Sequence, residues 1–412
     1  MKPFGQCFFF ILISLLSMAT PSCNRSVNDM PDKPQAAIKD SVPTSTDTTS
    51  NNKTDSTGQN DTTQKVETDP KVMKFEIVFE SQPGNATATI AKLKYNKFGW
   101  VSVEWDDNSP NALTALGILK NKFYTDGCGN KIMYAGALAV NGRNQYSNDE
   151  AANIPNNVNY AQMLDLISKG WDIENHSYYH EPGGNYNYGE DRNRNVKELD
   201  ELLVTRIKYK MNGLVVPTNY DGFPTAAKNY GYLFSTSQGT HDGFAPAGKP
   251  VYKDVQDFAL APENFSAFNR MFFDDWGEME RGVTKAINEI AIKSFHYFRF
   301  ASHTIDEAAF IRVMNHFEQT TNDKILMAPT REVMEYRLMA KMPVTYSLSG
   351  NKLTVEVNTA TLPDRFRWRD LSFNVSSDKK IKEVNIINAI DKTSFNSNTG
   401  LVNIFKQVTQ WN

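Results

Sequence analysis

Apolar and polar positions alternate over Lys74-Phe75-Glu76-Ile77-Val78-Phe79 and over Trp100-Val101-Ser102-Val103-Glu104-Trp105, which predicts two β-strands. A helical stripe follows at Tyr160, Met163, Leu164 and Ile167, stopped by Gly170. Then come a strand at Trp171–Ile173, a helix over Val196–Met211 and a strand at Leu214–Val216. Val283, Ile287 and Ile290 mark another helix, and Phe298–Phe300 another strand. The next helix carries Phe310, Val313, Met314 and Phe317, and Thr304-Ile305-Asp306-Glu307 before it reads as a capping box. Ile325-Leu326-Met327 and a helix through Val333 and Leu338 end the series. Strands alternating with amphipathic helices predict a parallel sheet or a βα barrel. Beyond Pro343 the texture changes to short alternating strands at Val344–Leu348, Lys352–Asn358, Leu371–Val375 and Lys382–Ile387, a small all-β domain.

The first seventy residues do not fit this pattern. Met1-Lys2 and the apolar run Phe8–Leu16 have the size of a signal-peptide core and are too short to span a bilayer. Ser17-Met18-Ala19 is a small-residue cleavage pattern, and Cys23 follows closely, which resembles a bacterial lipoprotein signal with Thr20 in place of the usual Leu. Simple secretion after Ala19 is the alternative. Residues 24–71 are Ser, Thr, Asp, Asn, Lys and Pro with almost no large apolar side chain, a tether that cannot offset its ordering entropy. Its Asp-Ser/Thr triplets at Asp40, Asp47, Asp55 and Asp61 resemble sites glycosylated in Bacteroidetes, although composition alone would also produce them. The expected organisation is therefore a signal segment 1–23, a linker 24–71, a barrel 72–342 and a β domain 343–412. The protein is expected outside the cytoplasm, in the periplasm or at the cell surface, held to the membrane by a lipid on Cys23 rather than by a transmembrane helix.

Composition removes several classes. With Lys+Arg 44 against Asp+Glu 47 there is no basic surplus for binding nucleic acid. Of three cysteines only Cys128 lies in the folded part, which excludes a disulfide scaffold and a Cys-rich zinc module. Flanked by Gly127 and Gly129 with no basic neighbour, Cys128 reads as inert. Gly183-Gly184 is not a phosphate loop, because no Lys-Ser/Thr follows, and Asn108 breaks the Asp-x-Asp pattern of aspartyl-phosphate hydrolases.

Three polar clusters stand where predicted strands end: Asp106-Asp107, His176-Ser177-Tyr178-Tyr179-His180, and His303. In a βα barrel those ends converge on one mouth. His176 and His180, four apart, bring two imidazoles within reach of one ion, and a carboxylate from Asp106 or Asp107 completes a two-His, one-carboxylate site. The second carboxylate is then free to take a proton from water. A lone His-x3-His pair arises by chance on helix surfaces; the joint pattern at strand ends is the specific feature.

Glu104-Trp105-Asp106-Asp107-Asn108 resembles the first motif, Thr-Phe-Asp-Asp-Gly, of the polysaccharide deacetylase family (NodB homology, carbohydrate esterase family 4). His176-Ser177-Tyr178-Tyr179-His180 matches its second motif, Asp274-Asp275-Trp276 is similar to the fourth, and Ser302-His303 to the fifth. The resemblance covers roughly residues 95–340 and implies a distorted (β/α) barrel of the polysaccharide deacetylase type. It further implies an acetyl-removing hydrolase acting on a polysaccharide, with a divalent metal, zinc by ligand type. Carried over by position, Asp106 is the general base, Asp107, His176 and His180 the metal ligands, and His303 the general acid. Asp275 and Trp276 would support the base and wall the acetyl pocket, with Tyr220 on the substrate side. The third motif departs: Val216 stands where an arginine normally pairs with the base, in Val216-Pro217-Thr218-Asn219-Tyr220. Arg270 is the substitute the sequence offers, and a backbone N–H near Asn219 or Tyr220 the oxyanion donor. The missing arginine and the added β tail also admit an inactive carbohydrate-binding surface lipoprotein, and the scaffold admits another metallohydrolase such as a phosphodiesterase. Tyr178, Tyr179, Tyr186 and Tyr188 are either sugar-stacking platforms or ordinary loop aromatics. His241 reads as a surface-loop residue or a substrate contact, and His296 and His316 as packing or surface residues.

Overall fold

A computed structural model describes residues 71–180, 183–238, 256–257 and 266–411. The signal segment, Cys23, the linker triplets and His241 lie outside the described residues. No helix among the described residues is long and apolar enough to cross a membrane.

The staves of the barrel are β1 (Gly99–Trp105), β2 (Ala137–Val140), β3 (Asp172–Asn175), β4 (Gly213–Val215) and β5 (Phe234–Ser237), followed by β6 (Ser266–Asn269), β7 (Met271–Phe272), β8 (His296–Ser302) and β9 (Ile325–Met327). They pair in parallel in the order β8-β1-β2-β3-β4-β5-β6. The ring closes through one continuous segment: β6 pairs with β5, and after Arg270 the chain shifts so that β7 pairs with β8. β9 pairs with the first half of β1, below the place where β2 takes over. The helices α1 (Asn111–Leu119), α2 (Tyr160–Ser168), α3 (Arg192–Ile207), α4 (Phe223–Tyr230), α5 (Trp276–Ile290), α6 (Glu307–Thr321) and α7 (Thr330–Met339) connect the staves. This is the distorted (β/α) barrel the sequence predicts, with a small all-β module attached.

Residues paired across parallel staves face the same side, so the register shows what fills the barrel. Glu104 pairs with Ala137 and Ala301, Asp172 with Ala137, and Glu174 with Ala139. Alanines thus stand beside the long acidic side chains and leave them room. Trp100, Phe268 and Tyr297 pack ring on ring as the apolar floor, with centroids 5.1–5.8 Å apart. Gly213 is required for a steric reason: a Cβ there would lie 2.0 Å from the Phe234 ring. Gly213→Ala is expected to cost about 1–3 kcal/mol by overpacking, read as a lower urea midpoint; an unchanged midpoint would contradict this packing.

Three expectations are corrected. The barrel does not begin at residue 72. Val72–Phe79 pairs antiparallel with Lys352–Asn358 and Ile381–Asn388, and Ala86–Ile90 with Leu371–Ser377, so the N-terminal strands belong to the β module. That module is two four-stranded sheets facing each other, with Phe75 against Phe373 at 5.4 Å. The reason lies in the burial pattern. Lys74 and Glu76 keep one face of their strand wet, as in a one-sided antiparallel sheet, whereas all seven residues of β1 are buried. The capping box at Thr304 is also displaced. Asp306 caps α6 by accepting from Ala309 N at 2.9 Å, while Thr304 Oγ1 bonds the Asp274 carbonyl and the Trp276 indole. The helix expected to reach Met211 ends at Ile207, because Lys208 turns left-handed (φ 58°).

Candidate metal and acid–base site at the barrel mouth

The ends of β1, β3 and β8 bring Asp106, Asp107, His176, His180 and His303 together around a cavity of about 250 Å³. Val216, Thr218, Asn219, Gln238, Arg270 and Phe272 complete its wall. Backbone strain concentrates here: Asp107, Asn108, Ser177, Thr218 and Asn219 all have φ between 49° and 71°. For a β-branched residue such as Thr218 this is an uncommon conformation, of the kind that persists where the surroundings enforce it. Asn108, in place of the motif glycine, adopts φ 53° and anchors the turn by accepting from Asn141 N at 2.7 Å.

Asp107, His176 and His180 offer ligand atoms that all lie within 4.8 Å of one another. Asp107 Oδ1 is 3.3 Å from His176 Nε2 and 3.6 Å from His180 Nε2. Bonds of about 2.0–2.2 Å to a tetrahedral ion would space ligand atoms about 3.3–3.6 Å apart. The tautomer strengthens the fit. His176 Nδ1 lies 2.9 Å from the Val215 carbonyl, which can only accept, so Nδ1 carries a hydrogen, and the neutral form of the ring turns its Nε2 lone pair toward Asp107. Asp107 Oδ1 is buried and accepts no hydrogen bond. In that form an acceptor faces an acceptor at 3.3 Å, a gap that suits a cation, and these three residues fit one.

An ionised Asp107 and a neutral His180 are the forms in which these groups bind a cation. Burial pushes the Asp107 carboxyl up, but the imidazoles of His176, His180 and His303 outweigh that and hold it well below the usual range. Burial and the neighbouring His176 push His180 down to about 4, which keeps it neutral. Burial alone would lower His176, and the Asp107 and Asp106 carboxylates reverse the direction.

Asp106 is buried and receives both Nη atoms of Arg270, at 2.8 and 2.5 Å. Burial raises its pKa, and the guanidinium charge with its two hydrogen bonds more than compensates, so Asp106 stays ionised. Arg270 thus occupies the place that Val216 leaves without a charge. It comes from the joint between β6 and β7, where its N–H donates to Ser237 O at 3.0 Å. Across the cavity His303 Nε2 stands 3.4 Å from Asp107 Oδ2, while its Nδ1 is 2.9 Å from Asp274 Oδ2. The other Asp274 oxygen accepts from His303 N at 2.8 Å and from Ser302 Oγ at 3.1 Å.

Three expected roles do not match the positions found. Asp275 does not reach the base: it caps α5, accepting from Glu278 N at 3.0 Å, and it is the neighbouring Asp274 that bonds His303. Trp276 is buried with its indole on Thr304 and against Phe310, and does not line the cavity. Tyr220 lies under the Arg192 guanidinium, and its N–H is taken by Pro217 O, so it offers neither ring nor amide to the cavity. Of the four loop tyrosines, Tyr178 and Tyr188 stack on each other and Tyr179 packs edge-on to both, leaving Tyr186 exposed. Cys128 is half-buried with its thiol pushed up to about 11 by burial, as its neighbours suggest. His296 and His316 bond Ser294 O and Asn288, away from the cavity.

Sequence reasoning missed Glu104 and Arg299 beneath the base. The signal was present, since a charged residue inside Phe298-Arg299-Phe300 needs a buried counter-charge.

No family model matches the chain, and no curated protein matches it. Among solved structures it is similar to a family 4 carbohydrate esterase from Streptomyces lividans in complex with acetate: 11% identity, 56% of this chain and 92% of that chain, TM-score 0.35. It is also similar to the chitin deacetylase of Colletotrichum lindemuthianum, at 16% identity over 58% of this chain and 89% of that one, with a TM-score of 0.35. A third is a family 4 acetyl xylan esterase from Clostridium thermocellum with a cobalt ion, at 14% identity, 57% and 89% coverage, and TM-score 0.32.

Proposed function

We propose that this protein is a metal-dependent hydrolase of the polysaccharide deacetylase family, removing N- or O-acetyl groups from a polysaccharide. The observation that carries the reading is the cation-shaped gap between Asp107, His176 and His180, with a guanidinium-held carboxylate on one side and a carboxylate-held imidazole on the other. Asp107, His176 and His180 would hold the ion, zinc by donor chemistry, which supplies a Lewis acid that polarises the acyl carbonyl and makes water more acidic. Asp106 takes the proton of the attacking water, and Arg270 keeps that carboxylate ionised beforehand. His303, oriented through Nδ1 by Asp274, delivers a proton from Nε2 to the departing amine or alcohol. The strained loop at Thr218 and Asn219 lines the same cavity. Arg270 beside Asp106 supports catalysis over an inactive carbohydrate-binding role, because it removes one of that role's two grounds, the absent arginine at Val216, and leaves the β tail as the other. Export and a lipid anchor on Cys23 would set the domain at a membrane surface where extracellular glycan is met.

The test is acetate release by the full-length protein from N-acetylated and O-acetylated glycans. Release is expected to stop on chelation and to return with added zinc. No release from any of these glycans, or release indifferent to chelation, would overturn the proposal.

A further inference from the structure

Glu104 lies on β1, two residues before Asp106, which follows the strand's last residue, and both carboxylates bond Arg270 inside the barrel. It is fully buried, as are its partners. Its Oε2 takes Arg270 Nη1 at 3.1 Å and Thr236 Oγ1 at 3.4 Å, while its Oε1 lies against Arg299 Nη2. Arg299 reaches it from β8, one layer below, where it pairs in register with Ser102. The result is a buried row of alternating charge, Asp106, Arg270, Glu104, Arg299, with each residue at most 3% exposed. Arg270 Nε makes no hydrogen bond, so the guanidinium plane is set by Asp106, by Glu104 and by the Phe272 ring 5.2 Å away. Among the described residues, Glu104 and Asp106 are the side chains that bond the guanidinium, so removing Glu104 leaves it Asp106, the group it serves.

We infer that Glu104 is a positioning residue for this reaction. It fixes Arg270 in the plane that gives two hydrogen bonds to Asp106, and Arg299 neutralises Glu104 so that its carboxylate is tolerated in the barrel. The inference rests on the deacetylase reading above. A wholly structural role would predict something different, because an apolar pair often replaces a buried ion pair without loss of stability.

The experiment compares Glu104→Leu/Arg299→Met with Glu104→Gln/Arg299→Met in the full-length protein. Both remove the same charges, but only the glutamine restores an acceptor for Arg270. The leucine variant is expected to fold, keep its metal and keep its KM, yet lose about 10–100-fold in kcat for acetate release, the scale of a misplaced catalytic group. The glutamine variant is expected to recover most of that loss. In crystal structures the leucine variant should show Arg270 withdrawn from at least one Asp106 oxygen. A wild-type kcat in the leucine variant, or Arg270 holding both bonds there, would overturn the inference. Should the leucine variant not fold, Glu104→Ala/Arg299→Met serves as the same comparison. If the wild type releases no acetate, the deacetylase reading fails by itself, and the position of Arg270 in the crystals decides this inference alone.

Discussion

Replacing His176 with alanine is expected to reduce bound metal to a small fraction of one ion per chain and to lower acetate release by at least about 10³-fold. That magnitude follows from losing several kcal/mol of charge stabilisation at about 1.4 kcal/mol per tenfold. His176 is the best placed of the three ligands because it is buried and its tautomer is fixed by Val215. Its removal also leaves that carbonyl without its imidazole partner, which costs about 1–3 kcal/mol of stability. His180→Ala separates the two effects, since His180 is 30% exposed in its side chain and can be removed with less disturbance to packing. Metal analysis and acetate release on both variants check the prediction. Full metal occupancy in both, with activity retained, would remove the metal site from the reaction.

The second large effect concerns stability and lies at the other end of the barrel. Arg331, at the start of α7, is fully buried. Its Nε donates to Glu335 Oε1 at 2.7 Å, and Nη1 to Tyr209 OH at 3.1 Å and to the Lys210 carbonyl at 3.0 Å. Nη1 also faces Asp172 at 3.3 Å, and Nη2 donates to the carbonyl of Arg365. Glu335 in turn accepts Arg367 N and Trp368 N, so this one cluster ties stave, helix and β module together. Arg331→Met leaves two buried carboxylates without their cation and is expected to cost about 3–5 kcal/mol, the range for breaking a buried pair from one side. The urea midpoint measures it. Burial already raises the Glu335 pKa against the opposing charge of Arg331, so the variant drives that carboxyl further toward its neutral form. A loss below about 1 kcal/mol would mean that the cluster relaxes freely, contrary to its full burial.

Much of the site was legible in the chain itself. A strand that ends in Asp106-Asp107, a second that ends in His176 with His180 four residues later, and a third that ends at His303 needed only the convergence of parallel strand ends to meet. Hydrophobic periodicity is local, so it marked these strands and most helices. Adjacent carboxylates were harder to tell apart. Asp274 and Asp275 look equivalent in sequence, and only the start of α5 decides that the second becomes its cap while the first is left facing His303. Likewise Trp276 and Tyr220 stood beside motif residues, and helix packing turned both away from the cavity.

The amino-acid order by itself determined the alternation of strands and helices, the β-rich tail and the order of the acid and imidazole clusters, because each is written within a few neighbouring residues. Tertiary structure decided what depends on residues far apart. Val72–Phe79 joined strands nearly three hundred positions away, since its one-sided apolar face needed a partner sheet. Arg270 came to Asp106, 164 residues distant, because the ring can close only where the chain passes from β5 to β8. Register and closure across staves set which charges share the interior, and no local pattern encodes that distance.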